Sequence, residues 1–141
     1  MNTFQLHPRL QQDCYPVGRF ALSQLLLMND AQYPWLILVP QRDNIQEIHH
    51  LDVGDRQQLL LESCLLAETM SELFQPDKLN IAAIGNLVPQ LHVHHVARYK
   101  TDIAWPAPIW GKFAPCAYAE QDAQTRLAKL RHSLLNHLIC T

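Results

Sequence analysis

Two imidazoles stand two residues apart in the run Gln90, Leu91, His92, Val93, His94, His95, Val96, whose remaining members suit a buried strand. Side chains alternate faces along a strand, so Gln90, His92 and His94 project one way while Leu91, Val93 and His95 project the other. Same-face neighbours lie roughly 6.5–7 Å apart at their α-carbons, close enough for both imidazoles to reach one phosphate or one metal ion. An imidazole with a free pKa of about 6.5 is unprotonated near neutral pH and can attack an electrophile. A metal-dependent hydrolase would need His92, His94 and another histidine as ligands, and no HExxH motif or nearby carboxylate cluster completes that set. No metal or cofactor is therefore expected.

The surrounding elements must hold this run in place. Residues 20–28 grow steadily apolar and meet the turn formers Asn29 and Asp30, after which Trp35, Leu36, Ile37, Leu38 and Val39 form a short apolar run between Pro34 and Pro40. The two read as antiparallel strands. Asp52 suits a helix N-cap, with Leu59, Leu60, Cys64, Leu66, Met70, Leu73 and Phe74 following at roughly helical spacing and Pro76 ending the helix near Gln75. Residues 78–85 read as a further strand, and Gly85 with Asn86 as the turn leading to the histidines. Ala123, Leu127, Leu130, Leu134 and Leu138 mark an amphipathic C-terminal helix over about residues 118–139. Between them, Trp105, Pro106, Pro108, Trp110, Gly111 and Pro115 make a stiff aromatic loop.

The 141 residues, 48% hydrophobic and 17% charged with a formal net charge of −2, suit one globular domain over 1–141 and lack the basic excess that nonspecific nucleic-acid binding needs. No secretory signal is evident and no apolar run approaches a membrane span, so a cytoplasmic protein with no membrane partner is expected. Cys14, Cys64, Cys116 and Cys140 form no Cys-x-x-Cys pair and read as reduced thiols, with Cys64 in the core of its helix. The element order suggests an α+β fold with an antiparallel sheet of about five strands, one inserted helix and one C-terminal helix.

Residues 90–96, followed by Ala97 and Arg98, resemble the signature of the histidine triad (HIT) family, in which three histidines alternate with apolar residues. His92 and His94 match the middle and last histidines, Gln90 stands at the first, and His95 holds a usually apolar position. Asn29 at a strand end, the strand after it, the helix after Asp52 and the Gly85–Asn86 turn fall in the family's order, extending the resemblance over about residues 20–111. It implies that His92 is the nucleophile on a nucleotide phosphoanhydride or phosphoramidate, dinucleoside polyphosphates included, forming a covalent nucleotidyl-histidine. His94 would contact the phosphate or act as general acid, and Gln90 would orient a neighbour. Backbone donors at Gly85, Asn86 and Leu87 would hold phosphate oxygens, and Asn29, with Asp30 as fallback, the ribose diol. The resemblance also implies a homodimer. A nucleotide-binding module with little turnover is the alternative.

Many family members carry a fourth histidine where this chain has Trp35. Gln90 and Trp35 are expected to touch and to have changed together. His95 reads as a polar core or edge residue, His49 and His50 as surface loop, and His7, His132 and His137 have no supporting context. Trp105 and Trp110 read equally as a pocket lid or as packing anchors, and Arg98 as a solvated strand end or a phosphate contact.

Overall fold

Asn29 and Asp30 turn the chain between β2 (Ser23–Met28) and β3 (Trp35–Pro40), which pair antiparallel with Leu26 opposite Ile37. In the computed structural model, which describes residues 3–139, a helix α1 (Pro8–Asp13) and strand β1 (Cys14–Arg19) precede this hairpin. A 3₁₀ turn at Ile48–His50 and helix α2 (Val53–Phe74) follow it, then β4 (Lys78–Ala82), β5 (Val93–Arg98) and α3 (Glu120–Ser133). The five strands form one antiparallel sheet in the order β1-β2-β3-β5-β4.

Strand alternation divides the interior into two cores. Leu25, Leu27, Leu36, Leu38, Val93 and Ala97 project to the side where α2 and α3 bring Leu59, Leu66, Met70, Leu127, Leu130 and Leu134. Leu26, Trp35, Ile37, Val39 and Val96 project to the other side, against Leu10 of α1 and Ala104 and Ile109 of the aromatic loop. The second side carries the histidines of interest. The carboxylate of Glu62, buried on α2, accepts from the Leu22 and Ser23 amides at 2.8 and 3.0 Å and so fixes the helix to the start of β2.

Helix boundaries follow local chemistry. The Asp52 side chain accepts from the Asp55 amide at 2.8 Å, and Gln75 ends α2 in the left-handed conformation just before Pro76. The C-terminal helix is shorter than its apolar pattern suggests, stopping at Ser133, although Leu134 and Leu138 remain packed. Its last turn and the residues beyond it lie against β1. The Arg131 guanidinium donates to the Pro16 and Val17 carbonyls, the Ile139 amide donates to the Arg19 carbonyl at 2.8 Å, and Leu138 lies against Gly18.

Several expectations need correction. Cys64 is exposed, as are Leu60 and Leu61, because the buried stripe of α2 runs through Leu59, Glu62, Leu66, Thr69 and Met70. The histidine ladder begins only at Val93, since the Leu91 amide is taken by the Ile45 carbonyl at 2.9 Å. Arg98 is neither solvated nor a phosphate ligand: it is 1% exposed and forms a two-point ion pair with Asp102 at 2.8 and 3.0 Å, with Asn80 accepting a third hydrogen bond. Burial works to raise the Asp102 carboxyl, but Arg98 and the Tyr99 and Trp105 amides outweigh it and hold the group below its ordinary value. Cys140 lies outside the described residues.

Candidate active site

A cavity of about 780 Å³ opens on the histidine side of the sheet. β5 and the residue before it supply His94 and His92, β3 supplies Trp35 and Ile37, and the turn after β2 supplies Asn29 and Asp30. Gly85, Asn86 and Leu87 form one wall of the cavity, and Trp110 another. Of the catalytic and nucleotide-binding residues expected from the sequence, His92, His94, Asn29, Asp30, Gly85, Asn86 and Leu87 line this cavity, whereas Gln90 does not.

Each imidazole has its hydrogen placed by its partner. His92 Nδ1 lies 2.7 Å from the main-chain oxygen of Gln90; a carbonyl only accepts, so Nδ1 carries the proton and Nε2 keeps its lone pair. The indole Nε1 of Trp35 donates to His94 Nδ1 at 3.0 Å, which puts the His94 proton on Nε2. The two imidazole rings are 4.9 Å apart at an interplanar angle of 72°, and Trp110 packs edge-on against His94 with centroids 5.4 Å apart. Burial lowers the His92 pKa and pushes His94 down to about 3, with the neighbouring His92 and His95 adding to the His94 shift. A basic nitrogen and a neutral N–H donor therefore share one apolar-walled cavity.

His95 faces the other side. Its Nδ1 donates to the Val93 carbonyl at 3.1 Å, and its Nε2 lies 2.7 Å from the Ser63 hydroxyl, so it acts as a satisfied core residue. His49 and His50 sit on the exposed 3₁₀ turn. Among the described residues no group of three His, Cys, Asp or Glu side chains converges as a metal ligand set.

The side-chain hydrogen bonds of Gln90 and Trp35 go to different partners. Trp35 is engaged with His94, whereas the Gln90 amide accepts from the His7 amide and donates to the Gln5 carbonyl, each at 2.9 Å. A primary amide offers both a donor and an acceptor, and here both are used to dock the N-terminal segment. His7, without context in the sequence, caps α1 by accepting from the Arg9 amide at 3.0 Å. Arg9 and Asp13 of that helix line the cavity, and sequence reading missed them. Pro8 at the first turn was their one signal, since six residues are too few to show a helical period.

A chain with a helix-backed antiparallel sheet and paired histidines on its open face can be compared with known proteins. The family model described as HIT domain matches residues 9–101. The chain belongs to the histidine triad family. A histidine triad protein from Marinobacter aquaeolei is similar at 49% identity and TM-score 0.92, over 95% of this chain and 98% of that one. One from Bradyrhizobium japonicum is 45% identical with TM-score 0.90, over 92% and 97% of the two chains. One from Sinorhizobium meliloti is 42% identical with TM-score 0.92, over 95% and 99%. No curated protein matches the chain. HIT proteins in general bind and process nucleotides, commonly as hydrolases or transferases.

Within this HIT protein the remaining cavity groups divide by chemistry. Asp30 uses Oδ1 to accept from the Gln32 amide, the Gln32 side chain and the Cys116 amide, and Asn29 uses Oδ1 to accept from the Tyr118 amide at 2.9 Å. Among the described residues Asn29 Nδ2 and Asp30 Oδ2 remain as donor and acceptor, on neighbouring residues of one turn. Gly85 has φ of 69°, a conformation that suits glycine and sets the turn into Asn86 and Leu87. The two candidate lid residues part company: Trp110 lines the cavity, whereas Trp105 stacks on the Arg98 guanidinium at 5.6 Å.

Proposed function

We propose that this HIT protein cleaves a nucleotide phosphoanhydride or phosphoramidate, dinucleoside polyphosphates being the first class to try, through a covalent nucleotidyl-histidine on His92. The observation that carries the reading is the 2.7 Å contact between His92 Nδ1 and the Gln90 carbonyl, which leaves Nε2 as an unprotonated nucleophile beside His94. Nε2 attacks phosphorus, the N–P bond forms, and the leaving group departs with the electron pair of the bond it loses. Water or another acceptor then attacks phosphorus and gives up its proton to solvent, while the N–P bond breaks and its electron pair returns to Nε2. His94 Nε2–H and the backbone donors at Gly85, Asn86 and Leu87 hold phosphate oxygens, and the Asn29–Asp30 pair takes the ribose diol.

Mixing the protein with dinucleoside polyphosphates, quenching in base and weighing the intact chain tests this reading. A nucleotidyl increment that disappears in His92→Ala is expected. Unmodified wild-type protein that still binds nucleotide would instead mark a binding module.

The reading includes a homodimer. β4 is an edge strand, and its Ile81, paired with His95, lies on the α2 side of the sheet and is 51% exposed. Leu60 and Leu61 of α2 are 65% and 66% exposed. A second copy adding its own β4 antiparallel would extend the sheet and cover this apolar surface by two-fold symmetry. The working compartment is taken as the cytoplasm; no helix among the described residues is long and apolar enough to cross a membrane.

A further inference from the structure

We infer that Trp35 is a positioning residue that holds His94 as a neutral Nε2–H donor, and that it thereby restricts this site to leaving groups able to depart as stable anions, phosphoanhydrides and not phosphoramidates. The inference rests on the functional reading above for its second half and on geometry alone for its first. An indole N–H donates and cannot accept, so the 3.0 Å contact from Trp35 Nε1 requires a lone pair on His94 Nδ1. Protonating Nδ1 would set two N–H groups against each other in a site where Trp35 is 8% and His94 5% exposed. A histidine at position 35 could turn its ring or lose its proton to accept from an imidazolium. Tryptophan can do neither.

The other neighbours of His94 do not offset this. His92 on the same run has Nδ1 protonated by its bond to the Gln90 carbonyl, and His95 is turned away to Ser63. β3 contributes Ile37 opposite His94, β4 contributes Ala82, and the loop contributes Trp110, none of them charged. Asp30, Asp13 and Arg9 line the cavity more widely, and Asp13 is paired with Arg9 at 2.9 Å. Burial with the two adjacent imidazoles already pushes His94 down to about 3, in the same direction as the indole contact.

The chemical consequence concerns the leaving group. A neutral imidazole that gives up its only N–H proton becomes an imidazolate, so His94 can hydrogen-bond a phosphate oxygen but cannot act as an acid. When His92 Nε2 attacks an anhydride, the P–O bond breaks and the bridging oxygen leaves with its electron pair as a phosphate anion that needs no proton. A phosphoramidate would have to expel an amide anion unless a proton reached its nitrogen from elsewhere.

Two measurements on the full chain test this. Long-range proton–nitrogen correlation spectra of the ¹⁵N-labelled protein should show His94 as the Nε2–H tautomer, coupled through the hydrogen bond to Trp35 Nε1 and unprotonated after His92 has titrated. An Nδ1–H tautomer or a His94 imidazolium near neutral pH overturns the inference. In the second, kcat/KM is compared for an adenosine phosphoanhydride and an adenosine phosphoramidate. Wild type should favour the anhydride, and Trp35→His should raise the relative phosphoramidate rate by about 10²-fold, the usual scale of general-acid help. Equal wild-type rates on both substrates overturn the leaving-group half. Failure of the functional reading looks different: no adduct forms with either substrate while the His94 tautomer is as described, a result that supports the positioning contact alone.

Discussion

His92 Nδ1 donates to the main-chain oxygen of Gln90 at 2.7 Å, so Gln90 orients this imidazole through its backbone while its side chain serves a different part of the molecule. A substitution at position 90 should therefore separate the two functions. Gln90→Ala removes two side-chain hydrogen bonds to the N-terminal segment, a loss of about 1–2 kcal/mol in stability. Urea unfolding should register that loss, and the His7 amide should exchange with solvent faster. Adduct formation on His92 should persist, because the carbonyl is unchanged. If the adduct vanished in a folded Gln90→Ala protein, the amide itself would be part of the chemistry.

Acid should weaken the fold through its buried imidazoles. Burial lowers His95 from 6.5 to about 4, against a smaller upward pull from its bond to the Val93 carbonyl. In the unfolded chain the group returns to the ordinary value, so between these limits the unfolded state binds more protons and stability rises with pH. The contribution is complete above about pH 6.5 and is lost as pH falls toward 4. His95→Leu should be less stable at neutral pH, where Ser63 loses its partner, but should reduce the pH slope by up to about 1.4 kcal/mol per pH unit. Urea midpoints measured from pH 7.5 down to 4.5 would show the difference, and parallel curves for the two proteins would refute it.

The proposed dimer gives a prediction about size. Leu61→Asp and Ile81→Asp each place a charge on a side chain that is already mostly exposed, so the fold should survive and its thermal midpoint should change little. Sedimentation should find wild type at twice the chain mass and either variant shifted toward the single chain. A wild-type protein that stays monomeric at high concentration would remove the second copy from the functional reading.

The central hairpin, the long helix with its Asp52 cap and the histidine strand were legible because each combines a strong period with turn or cap chemistry at its ends. α1 and β1 were not. Six residues of helix carry no period, and β1 contains Pro16 and Gly18 around a register shift, which breaks strand alternation. The site residues could be read from their spacing, but their partners could not. That Trp35 meets His94, and that Gln90 reaches Gln5 and His7, depends on contacts 59, 85 and 83 residues apart in the chain. Cys64 misled for a related reason: an apolar residue on a helix reads as core unless the helix also carries an apolar outer surface.

The last turn of α3 and the residues after it close the outer margin of β1, through Arg131 on the Pro16 and Val17 carbonyls and Ile139 on Arg19. A sheet joinable at both margins can add copies without limit and grow into a fibre. With one margin held by its own chain, the sheet would offer only β4 to a second copy, and the proposed pairing through that edge would terminate at two copies.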